Sequence, residues 1–277
     1  VSTPPPSPPL PAASFSEPSA SVLAQALGLP VFTSPWHTPH YPDGAVGPWR
    51  IRRGGVGLDC GYHSGPCVAS GSAVLMRENG EGGWDTWMSL SPMEIESQEL
   101  PLRHVRGHVV VMGLGMGWVA ANMALQPAVD RVTVVERDQD VLQLFGLCRV
   151  LEGLPDAAAR KVALVQSDAL QWQPQGAPVD FLYADIWLGL AEPQALADVQ
   201  RMQSNVHAQQ VYFWGQELVL GKMARSQAEP GTPQWAPAVG HAVRETGLPL
   251  LAHAEPGYAE LVARVLQWRE GRGSATG

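Results

Sequence analysis

Short apolar runs alternate with helix-patterned stretches over the second half of this 277-residue chain. Residues 108–113, HVVVMG, hold an unbroken apolar core, the pattern of a strand in a sheet covered on both faces. Residues 118–126 suit a helix, and RVTVVE (131–136) reads as a second strand. The stretch 138–151, DQDVLQLFGLCRVL, has helical spacing, and its acidic start favours a helix N-terminus. KVALVQSD (161–168), VDFLYAD (179–185) and QQVYFWG (209–215) are three further strands, with PQALADVQRMQ (193–203) helical between the last two. Strands alternating with helices at this spacing predict an α/β domain, Rossmann-like and doubly wound, around a mainly parallel sheet. Beyond residue 215, residues 217–227, 236–246 and 258–268 read as helices, and LPLLAHA (248–254) as a last strand.

The first hundred residues have a different texture. Residues 1–22 form a Pro/Ser/Ala-rich arm, expected to be extended and flexible. Residues 23–104 carry short segments separated by Gly, Pro and Asp, which predict a small β-rich region. Within it, SAVLMREN and WDTWMSL read as strands joined by the turn GEGG, with Trp84 and Trp87 as core packing. Residues 105–277 then make up the α/β domain, and the β-rich region is expected to cover its substrate side. The segment MEIESQEL (93–100) reads as a solvated helix face or, alternatively, as a lid whose carboxylates meet an amine.

Composition narrows the function. The chain is 45% hydrophobic and carries a net charge of −8, with 18 basic against 26 acidic residues. That balance argues against nucleic-acid binding, and Arg50, Arg52 and Arg53 beside glycines read as a solvated loop. Three cysteines, Cys60, Cys67 and Cys148, lack the repetition of a metal site. CGYHSGPC is therefore read as a loop with two thiols, ahead of a metal site with His63 or a Cys60–Cys67 bridge. The histidines are scattered, and no metal is expected. No run approaches the ~18 apolar residues of a membrane span, and no signal-peptide pattern is visible. A cytoplasmic location and a small-molecule substrate are expected, with homodimer formation left open.

The chemistry concentrates at strand ends. The first strand runs into Gly113-Leu114-Gly115-Met116-Gly117, the second ends in Glu136, the third in Asp168 and the fourth in Asp185. Ligands of open α/β sheets bind at such carboxyl ends. A dinucleotide turn of G-x-G-x-x-G type would need a small residue at position 118, which is Trp118. The G-x-G-x-G turn instead resembles that of the class I S-adenosylmethionine-dependent methyltransferases, and the resemblance runs from residue 105 to about 215. It implies S-adenosylmethionine, or its decarboxylated form, as cofactor. It places Gly113, Leu114, Gly115 and Gly117 at the methionine part, Glu136 at the ribose with Arg137 after it, Asp168 and Ala169 at the adenine, and Asp185 as a further cofactor contact at the close of the fourth strand.

Within that superfamily, VVVMGLGMGWVAANMALQPAVDRVTVVERDQDVLQL is similar to the corresponding segment of the spermidine synthases. That likeness implies Asp185 as the catalytic carboxylate and Glu94 and Gln98, in MEIESQE, as substrate contacts. Trp187 and Trp214 are weighed as further substrate contacts because they follow the fourth strand and end the fifth. Where those enzymes carry an Asp within the turn this chain has Met116, and where they carry Tyr-His it has Ser97-Gln98. Losing the turn Asp removes a partner for the donor's amine, so methyl transfer is favoured over aminopropyl transfer. A non-catalytic binding protein on the same fold is the alternative of a different class.

Overall fold

The computed structural model describes residues 19–270. Most of the Pro-rich arm lies outside the described residues. At its end Ser19 caps helix α1 (Ala20–Leu27), accepting a hydrogen bond from the Val22 N–H, and Gly28 closes the helix at a φ of 66°.

Two small antiparallel sheets follow. The first has the order β1 (Gly44–Val46), β2 (Trp49–Arg53), β5 (Ala73–Glu78), β6 (Trp84–Ser89). The second is the hairpin of β3 (Val56–Cys60) and β4 (Pro66–Ser70). Arg50, Arg52 and Arg53 thus lie on a strand and not in a loop: Arg52 pairs with Asp43 at 3.0 Å, and the Arg50 guanidinium stacks 3.8 Å from the Trp84 ring centroid. The hairpin register sets Cys60 opposite Pro66 and Cys67 opposite Asp59. Since side chains alternate along a strand, the two thiols leave opposite faces, and no disulfide links them.

Helices α2 (Pro92–Ser97) and α3 (Glu99–His104) join this region to the large sheet. Pro92 at the first helical position and the Ser91 cap start α2. Its acidic residues correct the expectation of a solvated face. Glu94 and Glu96 are both buried, the latter because its carboxylate accepts from the backbone N–H groups of His63 (3.0 Å) and Ser64 (3.1 Å).

The large sheet has five strands in the order β11-β10-β7-β8-β9, every neighbouring pair parallel. They are β7 (Gly107–Met112), β8 (Val129–Glu136), β9 (Val162–Gln166), β10 (Phe181–Ala184) and β11 (Gln210–Phe213). The connecting helices are α4 (Trp118–Leu125), α5 (Gln139–Leu147), the short α6 (Asp156–Ala159) and α7 (Ala195–Val206). The central strands β7 and β10 are apolar on both faces, with Val109, Val110, Phe181 and Leu182 fully buried. Helices α8 (Gln216–Arg225), α9 (Trp235–Glu245) and α10 (Tyr258–Glu270) complete the described residues. The predicted last strand does not form. Leu250 makes a single parallel bridge to Val211, and Leu251–Ala254 turn into a 3-10 helix. Among the described residues no helix is long and apolar enough to cross a membrane, and no cluster of three or more His, Cys, Asp or Glu could hold a metal.

Candidate active site

The strand order fixes where a ligand can sit. The chain enters at the central β7, winds outward through β8 and β9, then returns to β10 and β11 on the other side. The turns after β7 and β10 therefore diverge and leave a crevice at the switch point. A cavity of about 580 Å³ opens there, within the usual size of a small-molecule site. Its rim reads along the sheet as Trp214 after β11, Asp185, Ile186 and Trp187 after β10, and Gly113–Gly115 after β7. Glu136, Arg137 and Asp138 follow at β8, and Asp168, Ala169 and Leu170 at β9. Helix α2 and the residue after it add Glu94 and Gln98 to the wall. The predicted site residues thus share one cavity, with one exception. Gly117 is not among the lining residues.

The turn is held by the acid beside it. The Leu114 N–H donates to Glu136 Oε2 at 3.0 Å, and the Asp138 N–H to Oε1 at 2.8 Å. Each carboxylate oxygen keeps a second lone pair, which is the acceptor capacity a vicinal diol requires. Gly113 has a φ of 97°, and a side chain there would run into the Asp185 carbonyl. Gly117, at a φ of 76°, packs against the Phe145 ring, so its glycine serves the start of α4 and not the cavity. Asp168 closes a local turn, accepting from the Leu170 N–H at 2.9 Å and from Gln171 Nε2 at 3.2 Å.

The β10 end carries the most perturbed acids of the cavity. Burial pushes the Asp185 carboxyl up to about 7, against the opposing effect of the Tyr183 hydroxyl, which donates to Oδ2 at 3.3 Å. Burial also lifts Glu94 to about 8; the Ser89 N–H, which donates to Oε2, opposes the rise, and the negative charge of Asp185 adds to it. Two carboxyls that hold or release a proton near neutrality therefore face one cavity. Trp187 and Trp214 are buried beside them, with indole N–H groups bonded to Asp198 Oδ2 (2.9 Å) and Ser97 Oγ (2.8 Å). Behind this wall the Tyr212 hydroxyl lies 2.8 Å from the Ser97 carbonyl and 3.0 Å from Glu217 Oε2. Tyr62 (3.0 Å) and Tyr258 (3.3 Å) donate to the same carboxyl.

The N-terminal sheet, expected to cover the substrate side, forms a lid from residues that the sequence pattern did not assign to the site: Trp49, Leu75, Arg77, Trp87 and Met88. Trp87, expected as plain core packing, lines the cavity because β6 is bulged. Leu75 pairs with Met88 but Met76 pairs with Thr86, which leaves Trp87 as the extra residue. A bulge breaks strict alternation, so two consecutive side chains reach the same cavity. Trp87 stacks edge-on against Trp49 at 5.2 Å, and Trp49 Nε1 donates to Asp138 Oδ2 at 2.9 Å, which ties the lid to the rim.

No family model and no curated protein matches the chain. Some solved structures are similar over part of it. The methyltransferase domain of bacterial CtHen1-CN is 16% identical over 42% of this chain and 64% of that one, with a TM-score of 0.34. The glycopeptide N-methyltransferase MtfA, complexed with S-adenosyl-L-methionine, is 22% identical over 40% of this chain and 43% of that one, with a TM-score of 0.31. TrmK of M. capricolum, in complex with S-adenosyl-homocysteine, is 10% identical over 39% and 45% of the two chains, with a TM-score of 0.31. The matched region spans less than two thirds of each of these chains. Likenesses of this size add nothing to what the sheet order already defines.

Proposed function

We propose that the chain transfers a methyl group from S-adenosylmethionine to a small acceptor. What carries this reading is the sequence of groups on the rim: a glycine turn, then Glu136, then Asp168 on one side of the switch point, and Asp185 with two indoles on the other. Glu136 would accept the ribose hydroxyls through the lone pairs that its two backbone bonds leave available. Asp168 and Ala169 would meet the adenine, with Gly113, Leu114, Gly115 and Arg137 lining the rest of the donor's path. The bound donor supplies an activated methyl group on a sulfonium sulfur.

The protein's remaining task is positioning and one proton transfer. Asp185 receives the proton that the acceptor gives up, and a carboxyl near neutrality is suited to that exchange. Glu94 and Gln98 orient the acceptor, while Trp187 and Trp214 keep water from it. Aminopropyl transfer fits less well, because Met116, at the position where a turn acid would pair the donor's amine, is buried in the core and is not among the lining residues.

Calorimetric titration with S-adenosylmethionine, its decarboxylated form and NAD in parallel tests the reading. S-adenosylmethionine is expected to bind the most tightly. Tighter binding of NAD would overturn the assignment, and binding of none of the three would move the chain to the non-catalytic alternative.

A further inference from the structure

The half of the cavity next to β10 and β11 carries more information than a generic acceptor site. Both indoles there have their only polar atom engaged elsewhere, Trp187 Nε1 with Asp198 on α7 and Trp214 Nε1 with Ser97 on α2. Neither Asp198 nor Ser97 is among the lining residues, so the two rings present carbon surface to the cavity. Ile186 extends that apolar wall. The cations of the cavity, Arg77 and Arg137, are exposed and belong to the opposite half, where Arg77 lies 5.3 Å from the Trp49 ring and Arg137 follows β8.

Two buried polar atoms of lining residues are unmet, the Trp118 indole N–H at the start of α4 and, beside α2, the Gln98 amide oxygen. Gln98 is 2% exposed, lines the cavity, and its Oε1 has no hydrogen-bond partner. A buried amide oxygen left bare is costly, and a ligand N–H or O–H is what would satisfy it. The neighbouring acids do not form a cage for a dication. Glu94 holds its proton at neutral pH, with one of its oxygens taken by the Ser89 N–H. The surroundings are therefore flat, apolar and close to neutral, with Gln98 as an acceptor and Asp185 as a base within them.

We infer that the acceptor is an uncharged aromatic molecule carrying a hydroxyl or arylamine N–H, its ring against Trp187 and Trp214 and its donor hydrogen directed to Gln98, with Asp185 beside it to take the proton as the methyl group arrives. This inference rests on the methyl-transfer reading only for the reaction. In that reaction the acceptor's lone pair forms the new bond to the methyl carbon, the carbon–sulfur bond breaks with its electron pair going to sulfur, and the acceptor's proton passes to Asp185. The ring-and-donor site itself is a property of this chain.

The test is calorimetry on the full chain with four probes: 2-naphthol, the anion 2-naphthoate on the same ring, putrescine and S-adenosylhomocysteine. Binding of 2-naphthol is expected, with 2-naphthoate at least about tenfold weaker, since its charge would be buried without a cation beside it. Gln98→Leu removes an oxygen that holds no partner, so its melting temperature is expected to stay level or rise while 2-naphthol binding falls about tenfold. Equal or tighter binding of 2-naphthoate or putrescine overturns the inference, as does a Gln98→Leu variant that binds 2-naphthol unchanged. Failure of the methyl-transfer reading would look different: S-adenosylhomocysteine would not bind, whatever the naphthol titration gave.

Discussion

Met88 Sδ lies 3.1 Å from the Met116 backbone nitrogen and accepts its N–H, so a side chain of the lid caps an amide of the glycine turn. A thioether is a weak acceptor, and a carboxylate competing for the same amide would form the stronger bond. Met88→Ala uncovers that amide. The affinity for S-adenosylmethionine, relative to its decarboxylated form, is expected to rise severalfold in this variant. An unchanged ratio of the two dissociation constants would show that the amide is not part of the donor site.

Glu136 serves both the turn and the proposed ligand. Glu136→Ala removes two backbone partners and a charged acceptor at once, and is expected to weaken S-adenosylmethionine binding by about 1.5–3 kcal/mol. Calorimetry measures this directly; wild-type affinity in the variant would remove Glu136 from the ribose.

The three turn glycines are expected to separate. Gly113→Ala and Gly117→Ala force a side chain against the Asp185 carbonyl and the Phe145 ring, at φ values of 97° and 76°. Each should cost more than the ~1–2 kcal/mol of a left-handed residue alone. Gly115→Ala meets only the flexible Met88 side chain, at a φ of 52°, and should cost about that amount and no more. Urea unfolding of the three variants ranks them, and a Gly115→Ala as damaged as the others would contradict the geometry.

Stability should fall as the pH rises through the range of the buried acids. Asp185 and Glu94 keep their protons to about 7 and about 8 in the folded chain, whereas the unfolded chain releases them near the ordinary 3.8 and 4.5. Between those limits the native state binds more protons than the unfolded state, so each group lowers stability with increasing pH by up to about 1.4 kcal/mol per unit. Glu94→Gln is expected to flatten that slope in denaturant titrations run from pH 5 to 8. A slope unaltered by the substitution would mean that Glu94 titrates normally.

The sequence disclosed the strand ends because each part of that signal is local. Four apolar runs each finish in a glycine or an acid, and the parallel α/β order then brings Gly113, Glu136, Asp168 and Asp185 to one edge. A cover over the substrate side was expected from the β-rich region, but its residues were not legible, since Trp87 and Met88 reach the cavity through a register shift that depends on the partner strand. Gly117 was misplaced for a related reason: its neighbour Phe145 is 28 residues away along the chain. The acidic helix read as solvated because nothing near Glu96 in the sequence reveals the His63 and Ser64 amides that bury it.

Hydrogen counting around Tyr212 has a consequence of its own. Its hydroxyl has one hydrogen but two oxygens within reach, the Ser97 carbonyl and Glu217 Oε2. If Glu217 were ionised, one of those contacts would be a meeting of two acceptors. With a proton on Oε2, every atom finds its complement: Glu217 gives to Tyr212, Tyr212 gives to Ser97, and Tyr62 and Tyr258 give to the acid. Burial favours that form, raising the Glu217 carboxyl above its ordinary value. The helix that carries Glu94 is thus moored to the sheet through the Tyr212 hydroxyl, a fastening that a proton on Glu217 completes and its loss would loosen.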